Sequence, residues 1–403
     1  MDSAMPRSSG EDMTDTRASD ANGALSLAQV PCDARDAVAA ISAQLGPGPF
    51  ELVCFFVSPQ ADFAALNRAF SGAFGKADVF ACTTAGEIGR SGYEEGQIIA
   101  IGFPSALFTV DALAIDNLDT LDDRRVIDQL IQRRMSLNVE APDKGSEFAF
   151  LMVDGLSMQE ENLASILASA MGPMPLFGGS TGDGTDFGAT WLSWNGRVRR
   201  NAALLALVRS RCPVKVFSID HLRPTETRMV VTRADPDSRM VMEINGSPAA
   251  AEYARLLGKD PHQLDTFTFA AHPVVVRLGD SHHVRSIQRV DDHGNLMFFS
   301  AINEGMVLTL AEPEDMAAHL DRALGTLSEG RRPQQILGCD CVLRRIEAGQ
   351  FQQTRAISDI LSKHNVIGFN TYGEQIGALH VNQTLTGVAF YAPDGPEDDP
   401  ACR

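Results

Sequence analysis

Three glycine-rich segments carry the residue types that could line a ligand site. Each follows an apolar run, and they span residues 83–89 (TTAGEIG), 178–184 (GGSTGDG) and 370–377 (NTYGEQIG). Glycine permits positive φ angles and lets backbone N–H groups approach a bound molecule closely. For each segment taken alone, the alternative is a tight turn without a ligand. The candidate ligand contacts are Gly86, Glu87, Gly179, Ser180, Gly182, Tyr372, Gly373 and Glu374.

The glycine-rich segments do not match known phosphate-binding motifs. No Gly-Lys-Ser/Thr triplet follows them, and a further apolar run follows where a dinucleotide fingerprint needs a helix. Ser180 lies in the sequence GGSTG, which loosely resembles a nucleophile elbow, but the residues after it do not read as the helix that such an elbow must open. Because no ordered Ser/His/Asp or Cys/His set is present, we do not expect an enzyme.

Glu87 and Glu374 occupy matching positions, each directly after a glycine, in the first and third segments. Paired carboxylates can act as a general acid and a general base. A matching position in a repeated unit is more typical of a shared structural hydrogen bond to the loop, and we favour that interpretation.

The nine histidines all lie in the second half of the chain, and one of them could hold a cofactor. His380 precedes the last apolar run, His272 begins a series of short strand candidates, and His283 lies within that series. An imidazole in an apolar interior must be hydrogen-bonded or metal-bound. For each histidine taken singly, a satisfied core residue is the favoured alternative. The spacing does not indicate a zinc or non-haem iron site, whereas haem needs only a single axial histidine.

The glycine-rich segments belong to three copies of one pattern. Each copy has an apolar run, a helical stretch, a second apolar run that ends in the glycine-rich segment, and a third apolar run. The copies span residues 51–103, 148–208 and 335–390. Their unequal spacing indicates one supersecondary unit used three times. The predicted fold class is therefore α/β, with repeated strand-helix-strand-strand units in mixed sheets and helices packed outside.

The segments between the copies also have predictable structure. Helical spacing of apolar residues predicts helices over residues 33–45, 121–138 and 313–327. The turn sequence ADPDS predicts a hairpin over residues 225–244. Short apolar runs between residues 272 and 311 predict an antiparallel meander.

A domain boundary is predicted near Asn245, directly after that hairpin. The N-terminus is polar and the C-terminus is acidic and proline-rich, so neither end reads as part of a packed core. The predicted parts are a disordered N-terminus (1–30), an N-terminal domain (31–245), a C-terminal domain (246–391) and a flexible acidic tail (392–403).

Composition restricts the class of partner. The net charge of -18 disfavours nucleic acid and anionic membranes, and it suits docking on a basic protein. No apolar run reaches the ~20 residues of a spanning helix, and the N-terminus lacks the apolar core of a signal peptide. Cysteines such as Cys339 and Cys341 lie in apolar runs, where reduced thiols pack as small hydrophobic groups. We therefore expect a cytoplasmic protein.

Several stretches together resemble one family, the FIST sensory proteins. They are GGSTGDG with NAALLALV, VVTRADPDSRMVMEINGSPAAAEYARLLG, VRSIQRVDDHGNLMFFSAINEGMVLTLA and GFNTYGEQIG…HVNQT. The resemblance covers residues 50–390 and implies an N-terminal and a C-terminal FIST domain, in agreement with the boundary near Asn245. No F-box precedes it, which disfavours the eukaryotic ubiquitin-ligase version.

Within the family, CDCVLRR and NTYGEQIG…HVNQTLTGVAF are most similar to the bacterial nitric-oxide-sensing haemoproteins called NosP. That resemblance implies haem b held by a histidine, nitric oxide binding at ferrous iron, and regulation of a partner histidine kinase. It does not assign the ligand, so the choice rests on the residues. We predict His380 as the iron ligand, with His272 and His283 as reserves. Arg285 and Arg345, on predicted strands, are candidates for the haem propionates.

The alternative function is a haem-free sensory module. In that interpretation a small, amino-acid-like molecule binds in a cleft between the two domains. A homo-oligomer is compatible with either function.

Overall fold

The computed structural model describes residues 23–70, 72–278 and 281–393. Residues 1–22 of the N-terminus predicted to be disordered, and residues 394–403 of the predicted acidic tail, lie outside the described residues. Residues 26–30 belong to the segment predicted to be disordered, but they form part of a strand. The physical reason is apolar burial, because Leu25, Ala28 and Val30 are all buried against the body of the protein.

The described residues form 26 strands and nine α-helices. The strands are β1 (Ser26–Pro31), β2 (Phe50–Val57), β3 (Asp78–Thr83), β4 (Glu87–Gly89), β5 (Gly92–Glu94), β6 (Gln97–Pro104), β7 (Phe108–Asp116), β8 (Ser146–Val153), β9 (Leu176–Ser180), β10 (Leu192–Trp194), β11 (Arg197–Arg199), β12 (Ala202–Ser210), β13 (Val214–Ile219), β14 (Leu222–Asp235), β15 (Met240–Ile244), β16 (Ser247–Pro248), β17 (Val274–Leu278), β18 (Ser281–Arg285), β19 (Ile287–Val290), β20 (Leu296–Phe298), β21 (Val307–Pro313), β22 (Gln335–Cys341), β23 (Val366–Thr371), β24 (Glu374–Ile376), β25 (Leu379–Val381) and β26 (Leu385–Phe390). The helices are α1 (Ala37–Leu45), α2 (Phe63–Ala69), α3 (Asp123–Glu140), α4 (Glu160–Met171), α5 (Ala249–Leu257), α6 (Thr266–Ala271), α7 (Met316–Thr326), α8 (Val342–Gln350) and α9 (Thr354–Lys363).

The third copy contains two helices, α8 and α9, where one was predicted. Strand β22 ends at Cys341, and Arg345, predicted on a strand, lies on α8. The residues after Cys341 bury Leu343, Glu347 and Ala348 at helical spacing, which accounts for the difference. Arg285 ends strand β18, as predicted.

The three copies build three six-stranded sheets with one common strand order. The orders are β1-β6-β2-β3-β10-β11, β7-β12-β8-β9-β24-β25 and β13-β26-β22-β23-β4-β5. In each copy the first two strands pair in parallel, and the last strand pairs antiparallel with the first. Helices pack on the outer faces. The predicted α/β fold with mixed sheets is thus confirmed.

Each copy also gives a hairpin to the sheet of another copy. The hairpin β4–β5 pairs with β23, β24–β25 pairs with β9, and β10–β11 pairs with β3. These exchanged hairpins close a ring, so the three sheets surround a single core. In that core Phe56 stacks on Phe369 with ring centroids 4.6 Å apart, and Phe148 meets Phe390 edge-on.

A fourth, antiparallel sheet lies between the second and third copies in the chain. Its order is β18-β17-β21-β14-β15-β20-β19, with β16 paired to β15. Strands β18 and β19 occupy opposite ends of this order although only Ser286 separates them, so the sheet curls until its ends meet. The predicted antiparallel strands are confirmed. The pairing is not a simple meander, because β14 lies between β21 and β15.

Among the described residues, no helix has both the length and the apolar character needed to cross a bilayer.

Candidate functional site

The three glycine-rich segments converge at one end of the three-sheet body. The Ala85 N–H donates to Asn370 O, and the Asn370 N–H donates to Gly86 O, which joins the first and third segments. The N–H groups of Gly182 and Ser180 join the second segment to the first and the third. This end carries the carboxyl ends of the parallel strands, the edge at which α/β sheets commonly bind ligands.

Close packing requires glycine at two of these positions. Gly86 has a φ of 138°, and a Cβ there would overlap the Arg345 guanidinium and the side-chain oxygen of Asn370. At Gly182 a Cβ would lie 2.8 Å from the N and Cβ atoms of Ala85. The segments therefore pack closely against one another, and open space lies beside the first and second of them.

That open space is a cleft of about 660 Å³ beside the first and second segments. One wall is helix α8, and α6 contributes an aromatic ring at the rim. Its lining residues are Ser58, Pro59, Gln60, Ala85, Gly86, Glu87, Glu95, Gly96, Asp183, Gly184, Thr185, Asp186, Phe267, Val342, Arg345, Ile346, Gly349 and Gln350. The cleft therefore lies between the N-terminal copies and elements of the C-terminal half.

Among the residues that the structure describes, Arg345 is the one cation that lines the cleft. Its Nη1 donates to Glu94 O and to Asn370 Oδ1, both at 2.9 Å, and its guanidinium lies 5.3 Å from the Tyr93 ring centroid. Its Nη2 meets the Glu95 carboxylate at 3.0 Å. A guanidinium held in this way has a fixed orientation, and a guanidinium is the side-chain group best suited to binding a carboxylate.

Glu87 is the buried carboxyl of the cleft. It accepts hydrogen bonds from Thr84 Oγ1 at 2.6 Å and from the Gln97 N–H at 3.1 Å. Burial raises the pKa of Glu87 to about 7, although these bonds and the Arg345 charge act in the opposite direction. With this pKa, Glu87 gains or loses a proton near neutral pH. Its two oxygens bind the Thr84 hydroxyl and the Gln97 N–H.

Asp183 and Tyr372 lock the second and third segments together. The Tyr372 hydroxyl donates to Asp183 Oδ1, and Asp183 Oδ2 accepts from the N–H groups of Gly188 and Ala189 at 2.8 and 2.6 Å. The Tyr372 ring packs on Phe187 with centroids 4.4 Å apart. These contacts fix the floor of the cleft near Asp183.

Apolar side chains from α8 and α6 also line the cleft. Val342 is buried and Ile346 is partly buried on α8, while Phe267 is 58% exposed at the rim. The Nε2 atom of Gln350 is buried and has no hydrogen-bond partner within the described part of the chain. The cleft thus combines fixed charge, a spare amide donor and an apolar surface.

Of the eight candidate contacts in the glycine-rich segments, the structure places only Gly86 and Glu87 in this cleft. The other candidates, Gly179, Ser180, Gly182, Tyr372, Gly373 and Glu374, are used for packing between the segments. Gly179 pairs with Glu374 in the sheet, and Ser180 Oγ accepts from Gln375 Nε2 at 3.1 Å. The described lining of this cleft thus includes residues of the first and second segments and none of the candidates from the third.

His380, the predicted iron ligand, is buried on β25 and already has partners. Its Nδ1 lies 3.1 Å from Gln375 Nε2, and its ring packs against Gly373, where a Cβ would lie 2.8 Å from Nε2. Burial lowers the pKa of His380 well below its usual value, and the positive charges of Arg239 and Arg285 add to this effect. The imidazole is therefore a neutral core residue, the alternative weighed from the sequence.

The reserve histidines and Arg285 lie apart from the cleft. His272 caps α6 and His283 lies on β18, and burial lowers the pKa of both. Arg285 Nη1 donates to His380 O at 3.2 Å, and its Nη2 lies 3.6 Å from Glu161 Oε1. Arg285 is thus engaged with protein groups rather than free for a propionate.

Neither the cleft nor the surroundings of His380 fit a haem. Among the described residues that line the cleft there is no histidine, cysteine, methionine or tyrosine, and His380 Nδ1 already lies 3.1 Å from Gln375 Nε2. The thiols of Cys339 and Cys341 are free and buried, as predicted. Within residues 23–393 as described, no cluster of His, Cys, Asp and Glu is arranged to hold a metal ion.

Sequence reasoning missed the face of α8 and a buried charge network behind it. Asp340 binds both the Tyr93 hydroxyl and Arg344 Nε, and Arg344 Nη1 lies 2.9 Å from His221 Nδ1. His221 Nε2 in turn meets Glu347 at 2.8 Å. The signal was the i, i+4 spacing of Asp340 and Arg344 at a strand-to-helix junction, which was interpreted as a longer strand.

Comparison with protein-family models gives two adjoining matches. The FIST N domain model matches residues 51–247, and the FIST C domain model matches residues 249–377. Together the matches span most of the chain, and both supply residues to the cleft. A comparison with curated proteins finds no match.

Proposed function

We propose that this chain, which belongs to the FIST family, senses a small amino-acid-like molecule. The molecule binds in the cleft beside Gly86. FIST domains are signal-transduction sensory domains that bind small ligands. The observation that carries the proposal is the pairing in one cleft of an anchored guanidinium, Arg345, with an acidic side that includes Glu87 and Asp186.

The charges of the cleft match a zwitterion. A ligand carboxylate would bind Arg345, whose orientation is set by protein groups on its far side. A ligand ammonium group would meet the negative potential of Glu87, Asp183 and Asp186. Neither a simple anion nor a simple cation satisfies both sides.

The apolar wall suits an apolar side chain on the ligand. Val342 and Ile346 lie one turn apart on α8, and Phe267 lies on α6, which packs against α8; all three line the cleft. Phe267 exposes more than half of its surface, and covering an aromatic ring of this kind is favourable by about 25 cal/mol per Å² of buried apolar surface. Leucine is a suitable first probe, because it combines the two charges with a branched apolar chain.

We propose binding without turnover. Both Glu87 oxygens hold loop groups, and Ser180 is completely buried. We therefore expect neither acid–base catalysis by Glu87 nor nucleophilic attack by Ser180 on a bound ligand.

The proposed output is a change in a partner protein. The resemblance to NosP implies a histidine kinase, and the net charge of -18 offers long-range attraction to a basic docking surface. Autophosphorylation of such a kinase, measured with the protein in its free and ligand-loaded forms, tests this output.

Haem-based sensing of nitric oxide stays a prediction from the resemblance alone. The environment of His380 speaks against it, because the imidazole has partners on its Nδ1 side and tight packing at Nε2. No observation on the described residues favours haem-based sensing.

The experiment is a thermal-unfolding screen against the twenty L-amino acids, followed by calorimetric titration. A ligand at 100 times its Kd stabilises the folded state by about 2.7 kcal/mol. We expect L-leucine to raise Tm in a concentration-dependent way, and Arg345→Gln to weaken binding at least tenfold. Arg233→Gln, which removes an arginine from an exposed ion pair with Glu243, is the matched control and should bind normally.

Two results would refute the proposal. One is the absence of any stabilisation by the twenty amino acids at millimolar concentration. The other is binding that Arg345→Gln and Arg233→Gln affect equally, since the ligand would then not use the cleft.

A further inference from the structure

Glu95 occupies the outward face of the Arg345 guanidinium. Its Oε1 lies 3.0 Å from Arg345 Nη2, but its side chain is 76% exposed while that of Arg345 is only 15% exposed. An ion pair with one partner largely in water is weak, because solvent screens it and side-chain entropy opposes it. Glu95 therefore forms an ion pair with Arg345 that is weak and easily broken.

The remaining contacts of Arg345 do not depend on Glu95. Nη1 is held by Glu94 O and Asn370 Oδ1, and the guanidinium lies over Tyr93. If the Glu95 carboxylate leaves, the guanidinium stays in place with Nη2 open to the cleft.

The backbone around Glu95 is fixed on both sides. Glu94 O accepts from Arg345, and Gly96 O accepts from the Cys32 N–H at 2.8 Å. The carboxylate can therefore leave Arg345 by rotation of its own side chain, without movement of the β5–β6 connection. Such a rotation is fast and costs little.

We infer that Glu95 is an internal stand-in for the ligand carboxylate: it neutralises Arg345 in the free protein and is displaced when a ligand carboxylate binds. This inference rests on the proposed function. It assigns Glu95 a role in setting affinity, because every ligand carboxylate competes with a carboxylate that is always present. The site is then occupied only at ligand concentrations high enough to displace the Glu95 carboxylate from Arg345.

Glu95 also affects selectivity. A ligand that carries an amine but no carboxylate cannot displace Glu95, so it meets a cleft in which Arg345, the single cation among the described lining residues, is already neutralised. A ligand that carries a carboxylate exchanges one ion pair for another. The residue should therefore have opposite effects on the two classes of ligand.

The test measures calorimetric binding of three probes to the full chain and its variants. The probes are L-leucine, 4-methylpentanoate, which lacks the amine, and isoamylamine, which lacks the carboxylate. For Glu95→Gln we expect about two- to fivefold tighter binding of L-leucine and 4-methylpentanoate, from the usual strength of an exposed ion pair. Isoamylamine should bind no more tightly than to the unaltered protein.

Two controls separate displacement from a general change of charge. Glu140→Gln removes one exposed carboxylate at the end of α3 and should leave all three affinities unchanged. Asp186→Asn removes a carboxylate from the cleft without freeing Arg345, and it should tighten 4-methylpentanoate binding less than Glu95→Gln does.

The outcomes distinguish the inference from the function on which it rests. If no probe binds to the unaltered protein, the proposed apolar amino-acid site fails. If the probes bind but Glu95→Gln weakens 4-methylpentanoate, leaves it unchanged, or tightens it no more than Asp186→Asn, only the role of Glu95 is overturned.

Discussion

Glu87 and Glu374 are equivalent residues of two copies, and each accepts a hydrogen bond from the threonine three positions before it, Thr84 and Thr371. Their surroundings differ. Glu87 faces the cleft, whereas Glu374 is completely enclosed and also accepts from the N–H and hydroxyl of Thr384. One position in the repeated unit thus serves a ligand site in one copy and a sealed core in another.

The enclosed carboxyl should make stability fall as pH rises. Burial raises the pKa of Glu374 from 4.5 to about 8 against its threonine hydrogen bonds. Between these values the folded state keeps a proton that the unfolded chain has released, so the free energy of unfolding decreases by up to about 1.4 kcal/mol per pH unit. Urea unfolding from pH 5 to pH 8.5 should show Glu374→Gln with a shallower decrease than the unaltered protein. Glu140→Gln should keep the full slope, and an unchanged slope in Glu374→Gln would contradict the assignment.

Substitution of Gly86 should damage both fold and cleft. Alanine at this position must adopt a φ of 138° and overlap the Arg345 guanidinium, so we expect Gly86→Ala to cost about 2–3 kcal/mol and to weaken ligand binding. The matched control is Gly145→Ala, because Gly145 has open space around its Cβ position and no positive φ. Chemical denaturation of both variants checks the prediction. Equal stability of the two would show that the segments do not pack as described.

The buried network behind α8 should be sensitive to loss of one charge. Asp340→Asn leaves the buried Arg344 guanidinium without its carboxylate at 2.7 Å, and removal of one partner of such a pair costs about 3–5 kcal/mol. Glu243→Gln breaks the exposed pair with Arg233 and should cost less than about 1 kcal/mol. Urea midpoints measure both. A cost below 1 kcal/mol for Asp340→Asn would mean that the network contributes little.

Haem titration should give no spectrum of a haem ligated by His380. His380 is held by Gln375 and packed on Gly373, so iron cannot reach it without rearrangement of the segment. Absorption spectra of the reduced protein with added haem, with and without nitric oxide, check this expectation. A Soret band that shifts with nitric oxide and disappears in His380→Ala would overturn it and would restore the gas-sensor interpretation.

The elements were predictable from the sequence to the extent that they depend on local patterns. The apolar runs around Phe55, Leu151 and Leu337 became central strands, because each copy buries a continuous apolar stretch on both faces. The convergence of the glycine-rich segments was also predictable, since each follows the carboxyl end of a parallel strand.

The partners of each segment were not predictable, because they depend on pairing between distant copies. Arg345 illustrates this limit. Its contacts with Glu94 and Glu95 join residues about 250 positions apart, and no local periodicity records them. His380 illustrates the opposite error. The position of this histidine beside apolar runs suggested an imidazole free to bind iron. In the structure, Gln375 on the neighbouring strand already lies within hydrogen-bond distance of its Nδ1.

The exchanged hairpins have a consequence for synthesis of the chain. Ile88 pairs with Gly368, so strand β4 leaves the ribosome about 280 residues before its partner. At usual elongation rates this delay is roughly 15–55 s. During that interval the early hairpin lacks the partner strand that covers its edge in the folded protein, and the ring of sheets closes only after the final segment has emerged.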